Sequence, residues 1–327
     1  MAPVLNCTSS RRSLLKAMMA AMMAPTAMVL SSCSHDASPL KVGVSPRIGS
    51  EPFYLARDTA LIPEGIQLLH FASQTEKNAA IIAGDLDAMT LTLDEVLQLR
   101  GVGIPLTVVT VLSVSAGADM LIVKRDKTGK SLLKPGARLG YEPNSIGVLM
   151  LMMTLKELGL QKHQLTLVPL AVGEPQKQAW LNDEVDAVIT YQPFSSELVR
   201  MGCQAYLTSR DLPRNIYDVL AVRTDHIDKK RQQIQQLIDT YYHALEHFVV
   251  YQDDSLYRMA TRQKVTFAEA QAALQGIVIP GKELNEKWLS SESEFNEAAK
   301  QVNRLLFQES VLSRPDELDD FWRNQFL

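Results

Sequence analysis

Long apolar runs, cysteine pairs and a basic surplus are all scarce in this chain, and each shortage removes a class of function. The most apolar early stretch, Ala17 to Leu30, is rich in Ala and Met and is too short and too mild for a comfortable membrane span. Only three cysteines occur in 327 residues, Cys7, Cys33 and Cys203, so no disulfide framework holds the fold. Cys203 has no His or acid close in sequence to activate it and reads as a small buried hydrophobe. With 33 Lys and Arg against 37 Asp and Glu, the net charge of −4 offers no nucleic-acid surface, and no basic, aromatic-interleaved stripe is present.

Catalytic and cofactor signatures are missing as well. Gly43 and Gly140 lie in strand patterns without the G-x-G-x-x-G of dinucleotide sites, and there is no G-x-x-x-x-G-K. No serine lies in G-x-S-x-G. His243 and His247 sit one helical turn apart, but the order is not that of zinc proteases and no third ligand is evident. Asp85 and Asp87 open like a calcium loop, but Met89 and Leu91 follow where oxygen ligands belong. The expectation is a protein with no metal and no cofactor.

What is present is a repeated unit. In Gly84 to Gly103 a short apolar run, Leu86 to Leu91, leads through a small polar loop into a helical pattern. Thr92-Leu-Asp-Glu95 fits a capping box, in which hydroxyl and carboxylate each satisfy a free N–H at the helix start. Ninety-nine positions later Leu86-Asp87-Ala88 is answered by Val185-Asp186-Ala187, Gly103 by Gly202, and Asp119 to Lys124 by Asp218 to Arg223. Thr90 is paired in this reading with Tyr191, beside Thr190. A constant offset over that span implies two similar α/β lobes, each presenting one polar loop to a shared cleft beyond its strand ends.

Along the chain, Leu40 to Val44, Ile66 to Phe71, Ile104 to Leu112, Ala137 to Tyr141 and Leu165 to Leu170 read as further strands. The loop Ser45 to Ser50 opens onto a helix near Glu51-Pro52, with Pro favoured inside a helix start. Asn144 or Ser145 caps a helix from Val148 to Leu158 that Gly159 stops. Both loops aim a helix N-terminus at the cleft, a setting that favours an accepting or anionic ligand group. Phe53 and Tyr191 either stack a ligand or belong to the core. Glu51, Asp119 and Glu142 suit acid and base work if they meet, or else cap helices and hold ligand donors. From Ile227 onward the pattern is helical throughout.

The N-terminal segment has its own logic. Ser10-Arg11-Arg12-Ser13-Leu14-Leu15-Lys16 resembles a twin-arginine export signal, with Leu14 where Phe is usual. Leu30-Ser31-Ser32-Cys33 resembles a lipobox, which implies cleavage before Cys33 and acylation of its thiol. Residues 1–33 are then an export signal, 34–39 a tether, 40–123 the first part of lobe I, 124–217 lobe II, and 218–327 the return to lobe I with a helical tail.

Ser50-Glu-Pro-Phe-Tyr-Leu-Ala56, Gly84-Asp-Leu-Asp-Ala88, Ser115-Ala-Gly-Ala-Asp119, Glu142-Pro-Asn-Ser-Ile-Gly147 and Val185-Asp-Ala-Val-Ile-Thr-Tyr-Gln-Pro193, in this order and spacing, resemble the periplasmic substrate-binding proteins of nitrate, taurine, sulfonate and pyrimidine-precursor importers. The resemblance implies a two-lobed type II periplasmic-binding fold with two hinge crossings and a helical C-terminal tail. It departs at Ser50-Glu51-Pro52 and Tyr191-Gln192-Pro193, where the family often has Tyr-Glu-Pro. The cysteine-rich motif of the enzymatic thiamin-pyrimidine branch is absent, so no catalytic residues are expected. The ligand-binding set is then Ser45, Arg47, Glu51, Phe53, Thr90, Thr92, Ser115 and Asp119 on one side with Asn144, Ser145, Tyr191 and Gln192 on the other. A small polar ligand is implied, a sulfonate, zwitterion or heterocycle. The partner is an ATP-driven (ABC) importer's permease, or alternatively a membrane sensor, and the protein is expected as a monomer anchored by lipid on the periplasmic side of a bacterial membrane.

Overall fold

The computed structural model describes residues 38–327 apart from 72, 126–127, 144 and 213–215. Arg11, Arg12, Cys33 and Asn144 therefore lie outside the described residues, as does the side chain of Ser145. Strands β1 (Leu40–Val44), β2 (Ile66–His70), β3 (Ala88–Thr92) and β4 (Leu106–Ser115) alternate with helices α1 (Glu51–Asp58), α2 (Gln74–Ala83) and α3 (Leu93–Gly101). The second half repeats the alternation. Strands β5 (Asp119–Val123), β6 (Arg138–Tyr141), β7 (Thr166–Pro169), β8 (Ala187–Tyr191) and β9 (Ala205–Thr208) are interleaved with α4 (Ser145–Leu158), α5 (Glu174–Leu181) and α6 (Ser195–Arg200). Strand β10 (Tyr217–Arg223) precedes α7 (Arg231–Val250), α8 (Gln252–Gln263), α9 (Phe267–Gln275), β11 (Ile277–Val278), α10 (Lys282–Trp288) and α11 (Glu294–Gln308).

Two sheets result, ordered β11-β4-β10-β3-β1-β2 and β7-β6-β8-β5-β9. β1, β2 and β3 run parallel, as do β6, β7 and β8, whereas β10 and β5 lie antiparallel to β3 and β8. This is the two-lobed, type II periplasmic-binding fold with two crossings. The first crossing joins β4 to β5 across residues 116–118, and the second joins β9 to β10. Asp119–Val123, grouped by sequence with the first lobe, pairs instead with β8 and β9 in the second sheet. The expected helical tail also contains strand: β11 pairs with β4, and Val108 bonds the chain at Phe321 and Arg323.

Each sheet is apolar on both faces because helices cover both. All ten residues of β4 are buried, and its Val and Thr content suits a pleated strand packed on two sides. One face of the first sheet packs Leu40, Val42 and Val44 against Ile234, Leu237 and Tyr241 of α7. The other face joins a larger core that runs through α3 and α11 into Leu149, Met150 and Leu151 of α4, so the lobes share apolar packing.

The 99-residue offset holds at atomic level. Asp87 accepts from the Lys41 amide at 2.7 Å, and Asp186 accepts from the Arg138 amide at 2.8 Å. Asp218 pairs with Thr92 in one sheet as Asp119 pairs with Tyr191 in the other. Tyr191 therefore answers Thr92, not Thr90, because the register counts from the strand end. The Asp of each Asp-Ala pair is a clip at the far end of the sheet, where Asp87 also meets His226 at 2.7 Å and Lys230 at 3.4 Å.

Candidate functional site

The site is built where the parallel strands end and the crossings begin. The crossings are tied to each other: the Ser115 and Ser209 hydroxyls lie 2.7 Å apart, the Gly117 amide donates to Ser209 Oγ at 2.7 Å, and Arg210 donates to the Ala116 carbonyl at 2.9 Å. Behind them the Gly276 carbonyl accepts from the amides of Ala116 and Ala118 at 2.8 and 3.0 Å. A Cβ at position 276 would stand 2.8 Å from the Ala118 nitrogen, so only glycine allows this approach.

Arg47 is the centre of charge. Its guanidinium donates to Asp218 at 3.1 Å and lies 3.7 Å from Glu95, while Ser113 Oγ donates to the other Asp218 oxygen at 2.7 Å. Burial works against the charge, but Asp218, Glu95, Tyr191 and Asp94 outweigh it and keep Arg47 protonated. Because Tyr191 belongs to the second sheet, this field spans both lobes. The Tyr191 hydroxyl is 3.5 Å from Glu142, and burial raises its pKa.

The capping box at α3 is formed on one side by Glu95, whose carboxylate accepts from the Thr92 amide at 2.8 Å. Its neighbour Asp94 is 1% exposed, and neither carboxylate oxygen has a hydrogen-bond partner among the described residues. Burial and the adjacent Glu95 push Asp94 up to about 7, opposed in part by the nearby Thr92 hydroxyl, its own amide dipole and Arg47, none of which closes a hydrogen bond to it. Thr90 Oγ1 is likewise buried without a partner. Asp119 is buried beside Ser115, and burial carries it up to about 6 with Asp218 adding to the effect.

Lys77 of α2 is fully buried, crossing under β1 to donate to Ser45 Oγ at 2.6 Å and to the Thr90 carbonyl at 2.5 Å. Burial lowers it to about 7. Gly43 makes that path possible, since a Cβ there would stand 3.2 Å from the Lys77 stem and 2.7 Å from Leu86.

Of the expected set, Ser45, Arg47, Thr90, Thr92, Ser115, Asp119 and Tyr191 gather at this end of the sheets. Gln192 is engaged locally: its amide donates to Ala118 O at 3.0 Å and its Oε1 accepts from Ser196 at 2.8 Å. Two residues belong elsewhere. Phe53 is fully buried in the core, its ring 4.8 Å from that of Tyr241, because α1 must bury one face on α7. Glu51 turns to α8, pairing with Arg262 and accepting from Gln263 at 2.9 Å, and burial outweighs Arg262 to raise its pKa.

Sequence reasoning passed over Asp94, Glu95, Asp218, Ser209 and Lys77 as site residues. Asp218 was within reach, since the repeat pairs it with Asp119. Lys77 gave no signal of its own; the glycine in β1 was the available hint. Cys203 is half-buried beside Met120 and Leu198, and burial pushes its thiol up. Among the described residues no cluster of three or more metal-ligating side chains occurs, and no helix is long and apolar enough to cross a membrane.

A family model described as the NMT1-like family matches residues 34–262. Among solved structures, the periplasmic aliphatic sulphonate-binding protein SsuA of Escherichia coli is similar with a TM-score of 0.74 and 16% identity, over 88% of this chain and 99% of that one. The alkanesulfonate-binding protein SsuA of Xanthomonas axonopodis pv. citri, bound to MOPS, gives 0.67 and 16% over 88% and 98%. A zinc-bound ligand-binding component of an ABC-type import system from Staphylococcus aureus gives 0.69 and 13% over 88% and 97%. A search of curated proteins finds no match. At these identities the structures share the fold with this chain.

Proposed function

This chain belongs to the NMT1-like family, and from that we propose that it is an extracytoplasmic solute-binding protein that captures a small polar molecule between its lobes for an ABC importer. The observation that carries this reading is the convergence of Arg47, Thr92 and Asp218 from one sheet with Asp119 and Tyr191 from the other, beside the two crossings. A solute that touches both groups only when the lobes meet drives closure, whereas one that bound open and closed forms equally would shift nothing. The sulfonate specificity of the similar structures is theirs, and it supports the solute class only as one candidate.

In this reading the first sheet with the C-terminal helices forms lobe I and the second sheet forms lobe II. Ser45, Arg47, Thr90, Thr92, Ser115, Asp119, Asn144, Ser145 and Tyr191 contribute to the site. Cleavage before Cys33 and acylation of its thiol hold the protein on the membrane as a monomer after export through the Arg11-Arg12 signal. The tether then ends at Ser38 and Pro39, where Lys230 Nζ donates to both carbonyls at 3.2 and 3.1 Å.

The test pairs binding with transport. A thermal-shift panel of oxyanions, sulfonates, amino-sulfonates, pyrimidines and polyamines should contain a stabilising member, since a ligand at a hundred times its Kd adds ~2.7 kcal/mol. A strain lacking the protein should then fail to accumulate that compound in labelled form; normal accumulation sinks the transport role.

A further inference from the structure

We infer that Lys77 is a positioning residue of the solute site: from beneath β1 its ammonium ties the loop that carries Arg47 to the strand that carries Thr90 and Thr92, and solute affinity depends on that tie. The inference rests on the solute-binding reading above and names a buried residue that acts on that same site from behind.

The first sheet opens where Lys77 stands. Strands β1 and β3 pair at Val42–Ala88 and Gly43–Met89. One residue further along β3 the Thr90 carbonyl accepts from the Lys77 ammonium at 2.5 Å, and two residues beyond Gly43 the Ser45 hydroxyl accepts from it at 2.6 Å. One charged group thus bridges the two strand ends just past their paired residues. The loop that follows is fixed separately at its far end, where the Tyr241 hydroxyl donates to the Gly49 carbonyl at 3.1 Å and Gly49 lies against Ser113. Its near end has the Lys77 bridge at Ser45 and the Arg47–Asp218 pair at 3.1 Å. Loosening Ser45 therefore moves Arg47, whose charge faces Asp218, Glu95 and Tyr191.

Packing alone does not explain a lysine here. An ammonium with 0% exposure is costly to bury, and an apolar side chain of similar length would fill the space at less cost. What the ammonium adds is a pair of charge-assisted hydrogen bonds, which are the strong kind. Their strength is conditional on the proton. Burial lowers Lys77 to about 7, against Glu95 and Asp218, which raise it, and with Arg47, which lowers it. These three, from α3, β10 and the loop after β1, are the charged groups that face it. The ammonium is thus present at pH 6 and largely neutral at pH 8.5.

The experiment compares amide hydrogen exchange in free wild-type protein and in Lys77→Met at pH 6 and at pH 8.5. The reporter is the Arg47 amide, which donates to the Ser45 carbonyl at 2.8 Å. At pH 6 it should exchange about tenfold or more faster in Lys77→Met, the measure of a hydrogen bond to a charged group, while amides of β2 stay as they are. At pH 8.5 the gap should close, because the wild type has lost the same charge; Asp94 and Asp119 titrate in both proteins and cancel. Ser45→Ala removes the loop's side of the bridge, so it should show the same gap, and the double variant should add nothing to either single one. Should Lys77→Met fail to fold, Ser45→Ala serves in its place. No gap at pH 6, or a gap of equal size at both pH values, makes the role one of packing and overturns the assignment. Calorimetry with taurine and with ethanesulfonate reads the consequence: a probe that the wild type binds should show the same gap in Kd, present at pH 6 and closed at pH 8.5. An exchange gap with no gap in Kd makes Lys77 a loop anchor without a part in binding and overturns the inference. Because exchange is read on the free protein, failure of this assignment and failure of the solute-binding reading are told apart.

Discussion

Phe53 and Asp94 are equally hidden, at 0% and 1% exposure, yet what surrounds them gives them opposite roles. Phe53 has aromatic and aliphatic neighbours on α7, so Phe53→Ala should cost about 3–5 kcal/mol, read as a lower denaturant midpoint. Asp94 is an acid held in a desolvated site beside Glu95, and its effect shows as a pH dependence. Asp94 and Asp119 hold protons in the fold up to about 7 and about 6, against an ordinary 3.8, so between pH 3.8 and those values the native state binds more protons. Their contribution to stability falls as pH rises through that window. Lys77 runs the other way: held near 7 against 10.5, it leaves the unfolded state with more protons between those values, so stability rises with pH there. These groups together should place a dip in melting temperature near neutrality. Relative to wild type, Asp94→Asn should flatten the acidic limb and Lys77→Met the alkaline one; parallel profiles for all three proteins would refute the assignment.

At the scale of elements, the strand-loop-helix unit was legible because its period is written twice. Leu86-Asp-Ala and Val185-Asp-Ala recur at one offset, and the register pairs Asp218 with Thr92 and Asp119 with Tyr191 follow from it. The two-lobed plan was legible for the same reason, and the type II assignment came from the family resemblance of the loop motifs. Strand β9 was not, since Ala205–Thr208 is four residues long with its first two exposed, too little alternation to stand out. Nor could Phe53 be placed, because an aromatic in the first turn after a loop presents the same pattern whether it meets a ligand or a neighbouring helix. The crossing is held by a contact invisible in sequence, the approach of Gly276 to Ala118. Gly276→Ala should therefore push the crossing and cost about 1–3 kcal/mol in the urea midpoint. Gly65→Ala is the control, its added methyl meeting only Gln233 Cγ at 3.6 Å, an ordinary contact. Equal effects at the two sites would show that the approach at 276 is not constrained.

For the whole molecule the question is what holds the two sheets' helices together away from the crossings. Besides the apolar core shared by α3, α11 and α4, one ion pair reaches across on the outside: Arg200 of α6 lies 3.0 Å from Glu269 of α9. Arg200 is well exposed at 64%, whereas Glu269 is fixed by the capping box at the start of α9, so only the arginine gives up freedom to form the pair. A surface pair of this kind contributes little, about fivefold in an equilibrium constant at most. Little is enough when the equilibrium being shifted is lobe closure, because the fraction of closed protein multiplies directly into the observed affinity. Arg200→Ala should weaken ligand binding by up to about fivefold without touching the site, with the loss largest at low salt and fading as ionic strength screens the wild-type pair. In X-ray scattering the ligand-free variant should be more expanded than wild type, and the two should coincide once saturated with ligand. An affinity loss that persisted unchanged in high salt would assign the effect to packing around α6 instead of to charge, and the ion pair would then have no part in closure.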